Sequence, residues 1–203
     1  MATTGTGMAS SSSSSTNPSN TIIALLVLLM TTILSAAPPV AGEPPSVVPF
    51  ACKDAFAASG GTFTEDFCLS TLQGSKSSVG AADYADLALV AVDLVTANAT
   101  VTEAKIDALL ASNNISGAAV VEGLQSCRAL YGTVLRQYQP ECRAAVKDGR
   151  YGDGKACLGR TAQAAGTCEW WFQQRKLASP VAREDAVLAK LANLAIALAS
   201  ISR

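Results

Sequence analysis

Gly149 to Lys155 reads GRYGDGK, which satisfies the GxxxxGK spacing of a loop whose glycine amides cradle phosphates while a lysine reaches them. The closing hydroxyl residue of such loops, a magnesium ligand, is replaced by Ala156. Cys142 and Cys157 bracket the same stretch, and as an oxidised pair they would make it the turn of a stapled hairpin that needs no ligand. Other catalytic chemistry is sparse. The chain has no histidine, which removes Ser-His-Asp and Cys-His nucleophilic centres, imidazole-ligated metals and the commonest acid–base side chain near neutrality. Carboxylate catalysis survives in principle and would need a paired-acid cleft, which only a fold can create.

The elements that must position these residues read as helices. Val120, Leu124, Cys127, Tyr131, Leu135, Tyr138 and Cys142 recur at steps of three and four, as do Cys157, Thr161, Ala164, Cys168 and Trp171. Val187, Leu191, Leu194, Leu198 and Ile201 form a third stripe, and Tyr84 to Ala97 a fourth, with Ile106 to Ala111 as a shorter continuation. No window alternates with period two. "SNNISG" and "KDGRYGDGK" separate successive helices, Ser179 and Pro180 suit the start of the last one, and Pro140 should kink or frame its helix. Four long helices joined by short turns describe an all-α, up-down-up-down bundle, with a smaller helical piece at residues 47–72 in front. A phosphate loop must follow a buried strand, so its glycines read instead as turn residues.

Residues 1–20 are mostly Ser, Thr, Gly, Ala and Asn, too polar to fold alone. The apolar run Ile22 to Met30 is too short to cross a bilayer and fits the core of a secretory signal, with cleavage expected before Glu43. Residues 1–42 are thus read as a low-complexity N-terminus and signal peptide, and residues 43–203 as one domain that keeps no membrane segment. The 15 basic and 16 acidic residues all fall after position 42, and this balance leaves no basic face for nucleic acid. Aromatic residues make up 5% of the chain, which argues against stacking platforms for bases or sugars.

Six cysteines, at 52, 68, 127, 142, 157 and 168, lack zinc-site spacing. On a secreted route an even number implies disulfides. Across antiparallel helices, facing residues have nearly constant position sums, and the sums for 142/157 and 127/168 differ by only four, about one helical turn. Nested pairs Cys142–Cys157 and Cys127–Cys168 fit a helical hairpin and leave Cys52 with Cys68.

The ordered segments also carry a family pattern. "ACKDAFAASGGTFTEDFCLSTL" resembles the N-terminal cysteine hairpin of plant pectin methylesterase and invertase inhibitors. "LQSCRALYGTVL" and "GTCEWWF" are similar to that family's third- and fourth-cysteine segments, and "ASPVAREDAVLAKLANLAIALASI" to its closing helix. The resemblance implies the pairs Cys52–Cys68 and Cys127–Cys168, with Cys142 and Cys157 as additions to a four-cysteine pattern. It further implies a monomeric, non-enzymatic inhibitor, free of cofactors and metal, that covers the active-site cleft of pectin methylesterase or of acid invertase in the cell wall, apoplast or vacuole. Invertase inhibitors of this family often carry a Pro-Lys-Phe motif between the third and fourth bundle helices; here Gly149, Arg150 and Tyr151 stand at the corresponding turn. That departure favours the pectin methylesterase branch.

The candidate contacts with a target enzyme are therefore Arg150 and Tyr151, with Asp83, Asp86 and Asp93 on the first bundle helix as an acidic alternative. Asn98 and Asn114 open glycosylation sequons. Trp170 and Trp171 could anchor an interface, although Trp171, one helical step from Cys168, suits the core. A structural or carbohydrate-binding bundle without an enzyme target is the competing class.

Overall fold

The computed structural model describes residues 46–112 and 117–202. Among them the chain is helical throughout its regular elements and no strand occurs. Two short helices, α1 (Val48–Ala58) and α2 (Glu65–Gln73), form the leading hairpin. Pro49 sits in the first turn of α1, where no backbone donor is needed, and the Thr64 hydroxyl caps α2 by accepting from the Phe67 amide at 3.2 Å. Gly60 and Gly61, both at positive φ, turn the chain between them.

The bundle proper begins with α3 (Tyr84–Ala111), an unbroken helix of 28 residues. Sequence periodicity suggests two pieces here; the structure runs straight through, because Ala99, Thr102 and Ile106 continue the buried stripe begun by Leu87, Ala91 and Val95. By length and composition α3 could cross a membrane, but those residues face the bundle core. The second long helix comprises α4 (Ala118–Thr133), a π segment (Val134–Tyr138) and α5 (Gln139–Lys147). Then come α6 (Tyr151–Gln174) and α7 (Ala182–Ile201). Neighbours pack antiparallel in an up-down-up-down four-helix bundle, with α7 against both α6 and α3.

The π segment explains how Pro140 fits. The Gln139 amide donates to the Val134 carbonyl, five residues back, so the coil is already widened where proline, lacking a donor, enters the next turn. Of the two expectations for Pro140, kinking or framing its helix, the structure shows it directly after a π segment, opening the next turn of a continuous helix. The buried Gln139 side chain holds this widened turn in place. Its amide donates to the Thr161 hydroxyl on α6 at 2.9 Å, and its carbonyl accepts from Thr96 on α3 at 3.2 Å.

Three disulfides staple the structure, and no cysteine is free: Cys52–Cys68 across the hairpin, Cys127–Cys168 between α4 and α6, and Cys142–Cys157 between α5 and α6. All six side chains are fully buried. The last two lie on either side of the π segment and fix the register of α6 along the second helix. Tyr84 ties the hairpin to the bundle by donating to Asp54 of α1 at 2.9 Å.

Close packing is carried partly by glycine. A β-carbon on Gly123 would lie 2.4 Å from the Trp171 ring and 2.7 Å from that of Phe172, so α4 and α6 meet there only because Gly123 is bare. Gly154 is similar, since a β-carbon would sit 2.7 Å from a Val146 methyl. At Ser179 the structure departs from the expected cap. Its hydroxyl accepts from the Val181 amide at 3.3 Å in a turn, and α7 starts at Ala182 with no side-chain cap.

Gly123→Ala should lower unfolding free energy by about 1–3 kcal/mol through overpacking. Gly166→Ala, where nothing lies within 4 Å, should raise it by about 0.5–1 kcal/mol; denaturant titration of both variants reads the contrast. Replacing Cys142 and Cys157 with alanine should cost about 3 kcal/mol for a loop of this length, in the same assay. Non-reducing peptide mapping should recover a Cys142–Cys157 peptide pair.

Candidate functional site

The α5–α6 turn is built by a helix-stop motif. Gly149 adopts φ +72, the Arg150 amide donates back to Ala145 at 2.9 Å, and the Gly149 amide to Val146 at 3.1 Å. The Asp148 amide is bonded to Ala144 as well. These amides already terminate α5, so they are not a nest for phosphate. The turn is only Asp148 to Arg150: Tyr151 opens α6, and Gly152 and Gly154 lie inside that helix, where the sequence suggested a longer glycine loop.

This geometry separates the two residues singled out as target contacts. Arg150 is exposed and held between two carboxylates of its own turn, Asp153 at 2.7 Å and Asp148 at 3.4 Å. Hydrogen bonds to those carboxylates push the guanidinium further above its ordinary range. Tyr151 is half-buried and packs against the core cluster formed by the hairpin, α3, α5, α6 and the end of α7. The turn thus presents a cation without a projecting aromatic.

The three aspartates of α3 have internal partners. Asp83 is the N-cap, accepting from the Asp86 amide at 2.9 Å, while Asp86 reaches back to the Ala82 amide at 2.8 Å. This reciprocal arrangement is a capping box shifted by one residue. Asp93 pairs with Arg143 of α5 at 2.7 Å. Further pairs continue along the same groove, Glu103 with Arg136 at 3.6 Å and Asp107 with Arg128 at 2.6 Å. On the other side of the second helix, Glu141 meets Arg160 and Glu122 meets Arg175. Exposed pairs of this kind contribute little individually. Together they interleave both signs over the bundle surface, which leaves no extended basic face among the described residues.

Trp170 is 56% exposed, whereas Trp171 lies edge-on to Phe172 and beneath the Arg175 guanidinium, whose central carbon is 3.8 Å from the ring centroid. Trp171 is therefore a packing residue and Trp170 the one that faces outward. Asn98 lies in the middle of α3, near no helix end, with its carbonyl accepting from Thr102 and fully buried Ala99 beside it. A sequon wound into a packed helix is a poor glycan acceptor. Asn114 falls outside the described residues, as does the segment 1–42 read as a signal.

One polar cluster lies inside the bundle, and the sequence analysis did not single it out. Tyr131 of α4 donates to Asp185 of α7 at 2.5 Å, and both are 1% exposed. Burial, then the Asp185 charge, push the Tyr131 hydroxyl well above its ordinary range. Burial likewise pushes the Asp185 carboxyl up to about 8, against the opposing hydrogen bond from Tyr131 and with Glu169 adding to the rise. Oxygens of Glu169 and Asp185 and the sulfur of Cys168 lie within 4.8 Å of one another. Cys168 is disulfide-bonded and cannot serve as a thiolate ligand, so this is not a metal-ligand set of the Cys/His type. The available signal was register: stepping back three residues from Leu188 puts Asp185 on the buried stripe of α7.

The described residues form a disulfide-stapled helical bundle with interleaved surface charge. Comparison with known proteins agrees with this architecture. The family model of plant invertase/pectin methylesterase inhibitors matches residues 49–198. No curated protein sequence matches. Among solved structures, a mutant form of a pectin methylesterase inhibitor from Arabidopsis is similar with a TM-score of 0.63 and 17% identity, covering 78% of this chain and 98% of that one. A pectin methylesterase inhibitor from Arabidopsis thaliana is similar with a TM-score of 0.54 and 18% identity, covering 79% and 99% respectively. At such identities the likeness establishes the fold, while the family match spans most of the chain. The chain belongs to the plant invertase/pectin methylesterase inhibitor family.

Proposed function

We propose that the chain is a secreted, non-enzymatic inhibitor of a pectin methylesterase, acting as a monomer that covers the active-site cleft of its target in a one-to-one complex. The observation that carries the choice of target is the α5–α6 turn. An aromatic meant to enter a cleft from this turn would have to project, and Tyr151 instead packs onto the bundle core while Arg150 is drawn back by Asp148 and Asp153. The turn keeps a cation and an aromatic but not the proline of the Pro-Lys-Phe motif, and the inward packing of Tyr151 supports the pectin methylesterase branch over the invertase one. Both similar Arabidopsis structures are pectin methylesterase inhibitors, which supports the same branch.

Three disulfides and a close-packed core suit this role physically. A scaffold that is already rigid loses little conformational freedom on docking, so more of the contact energy appears as affinity. No step calls for a cofactor or metal. Secretion follows from the reading of residues 1–42 and agrees with three buried disulfides, which persist in oxidising compartments.

Titrating the mature protein into pectin methylesterase and acid invertase assays should give inhibition of the first that saturates near equimolar protein, and none of the second. Inhibition of invertase alone would move the chain to the other branch. Arg150 is an exposed proposed contact at the tip of the α5–α6 turn, so Arg150→Ala should weaken inhibition several-fold with unchanged thermal stability; unaltered inhibition would place the docking face elsewhere. On protein from a secreting plant host, intact-mass and peptide analysis should find Asn98 unmodified and any glycan at Asn114.

A further inference from the structure

Asp185 and Glu169 pose a charge problem that the bundle must solve. Asp185 lies near the start of α7, 1% exposed, with one oxygen satisfied by Tyr131 and the other, Oδ2, buried without a partner. Glu169 of α6 also buries an oxygen, Oε1, without a partner, and the two side chains place oxygens within 4.8 Å of each other. As carboxylates both are acceptors only, so neither can satisfy the other. Two negative charges this close in an apolar setting repel strongly. A proton on Asp185 removes its charge and turns one acceptor into a donor facing Glu169.

The other groups facing the cluster do not offer an alternative counter-charge. Glu184, also on α7, adds a further negative charge, and its own partner is Lys105 of α3 at 2.8 Å. Tyr131 contributes its hydroxyl from α4, with Thr102 of α3 beside it. Cys168, next to Glu169, is held in the bond to Cys127. The cluster therefore joins α4, α6 and α7 at one level of the bundle, with no cation among the described residues paired to Asp185.

We propose that Asp185 keeps a proton, facing Glu169, and forms a latch that fastens α7 to α6 in acid and loosens as the solution becomes neutral to alkaline. The sign follows from the folded and unfolded states. Asp185 is raised from about 3.8 to about 8 in the folded chain, so the folded state keeps a proton that the unfolded state releases. The resulting stabilisation is complete below about 3.8 and is lost as pH rises through about 8. This is opposite to the acid lability that carboxylates in ordinary ion pairs confer. The absence of histidine makes the effect readable, because few other side chains titrate between pH 5 and 8. The latch is independent of which enzyme the protein inhibits.

Urea unfolding of the disulfide-intact protein at several pH values from 5 to 8 tests it. The unfolding equilibrium constant of the native sequence should rise by up to about tenfold per pH unit, the limit for one retained proton. Asp185→Asn keeps an acceptor for Tyr131, gives Glu169 a donor and carries no charge, so it should flatten the profile. Glu169→Gln, which supplies Asp185 with a donor, should reduce the slope even if the first variant folds poorly. A native profile that is flat or slopes the other way overturns the latch. So does a native slope retained in Asp185→Asn, or in Glu169→Gln where the first variant does not fold.

Discussion

The register between the second long helix and α6 is the constraint on which the rest of the bundle depends. Cys142–Cys157 and Cys127–Cys168 cross-link these helices on both sides of the π segment, so neither can slide or rotate without straining two covalent bonds. From the first bridge to the second, the chain covers 15 residues on one helix and 11 on the other. The π segment supplies part of that difference by taking more residues into a turn, and Gln139 secures it to α3 and α6. Once the register is set, bare Gly123 meets Trp171 and Phe172, Gly154 meets Val146, and Tyr131 reaches Asp185.

The same constraint shapes what the surface can offer. Fixing α5 against α6 reduces their connection to three residues closed by a helix-stop motif, which turns Tyr151 inward and leaves Arg150 as the outward group. A stapled turn of this kind is a poor ligand loop and a good rigid edge. Exposed ion pairs run along the helix grooves and link neighbouring helices across the surface. The result is a preformed, stapled surface with both signs of charge interleaved.

Much of this was legible from residue order, because helical periodicity and cysteine position report the same geometry. The stripes through Val120–Cys142 and Cys157–Trp171 place the cysteines on facing helices, and the bridges follow from their sums. What escaped were features decided by partners distant in sequence. Asp83 and Asp86 look like an acidic face until their amide partners are seen, and Ser179 looks like a cap although the chain turns once more before α7 begins. Pro140 signals an irregularity but not its kind, since the π turn lies before it. Asp185 drew no notice in the sequence, and only its contacts with Tyr131 and Glu169 show it as a buried acid.

The central claim is that this bundle acts by covering the cleft of a pectin methylesterase, and calorimetric titration with and without the enzyme's polymeric substrate tests it most directly. The account predicts a single binding event with a stoichiometry near one, weakened in proportion to added substrate. Binding that is indifferent to substrate, or no binding, would contradict it.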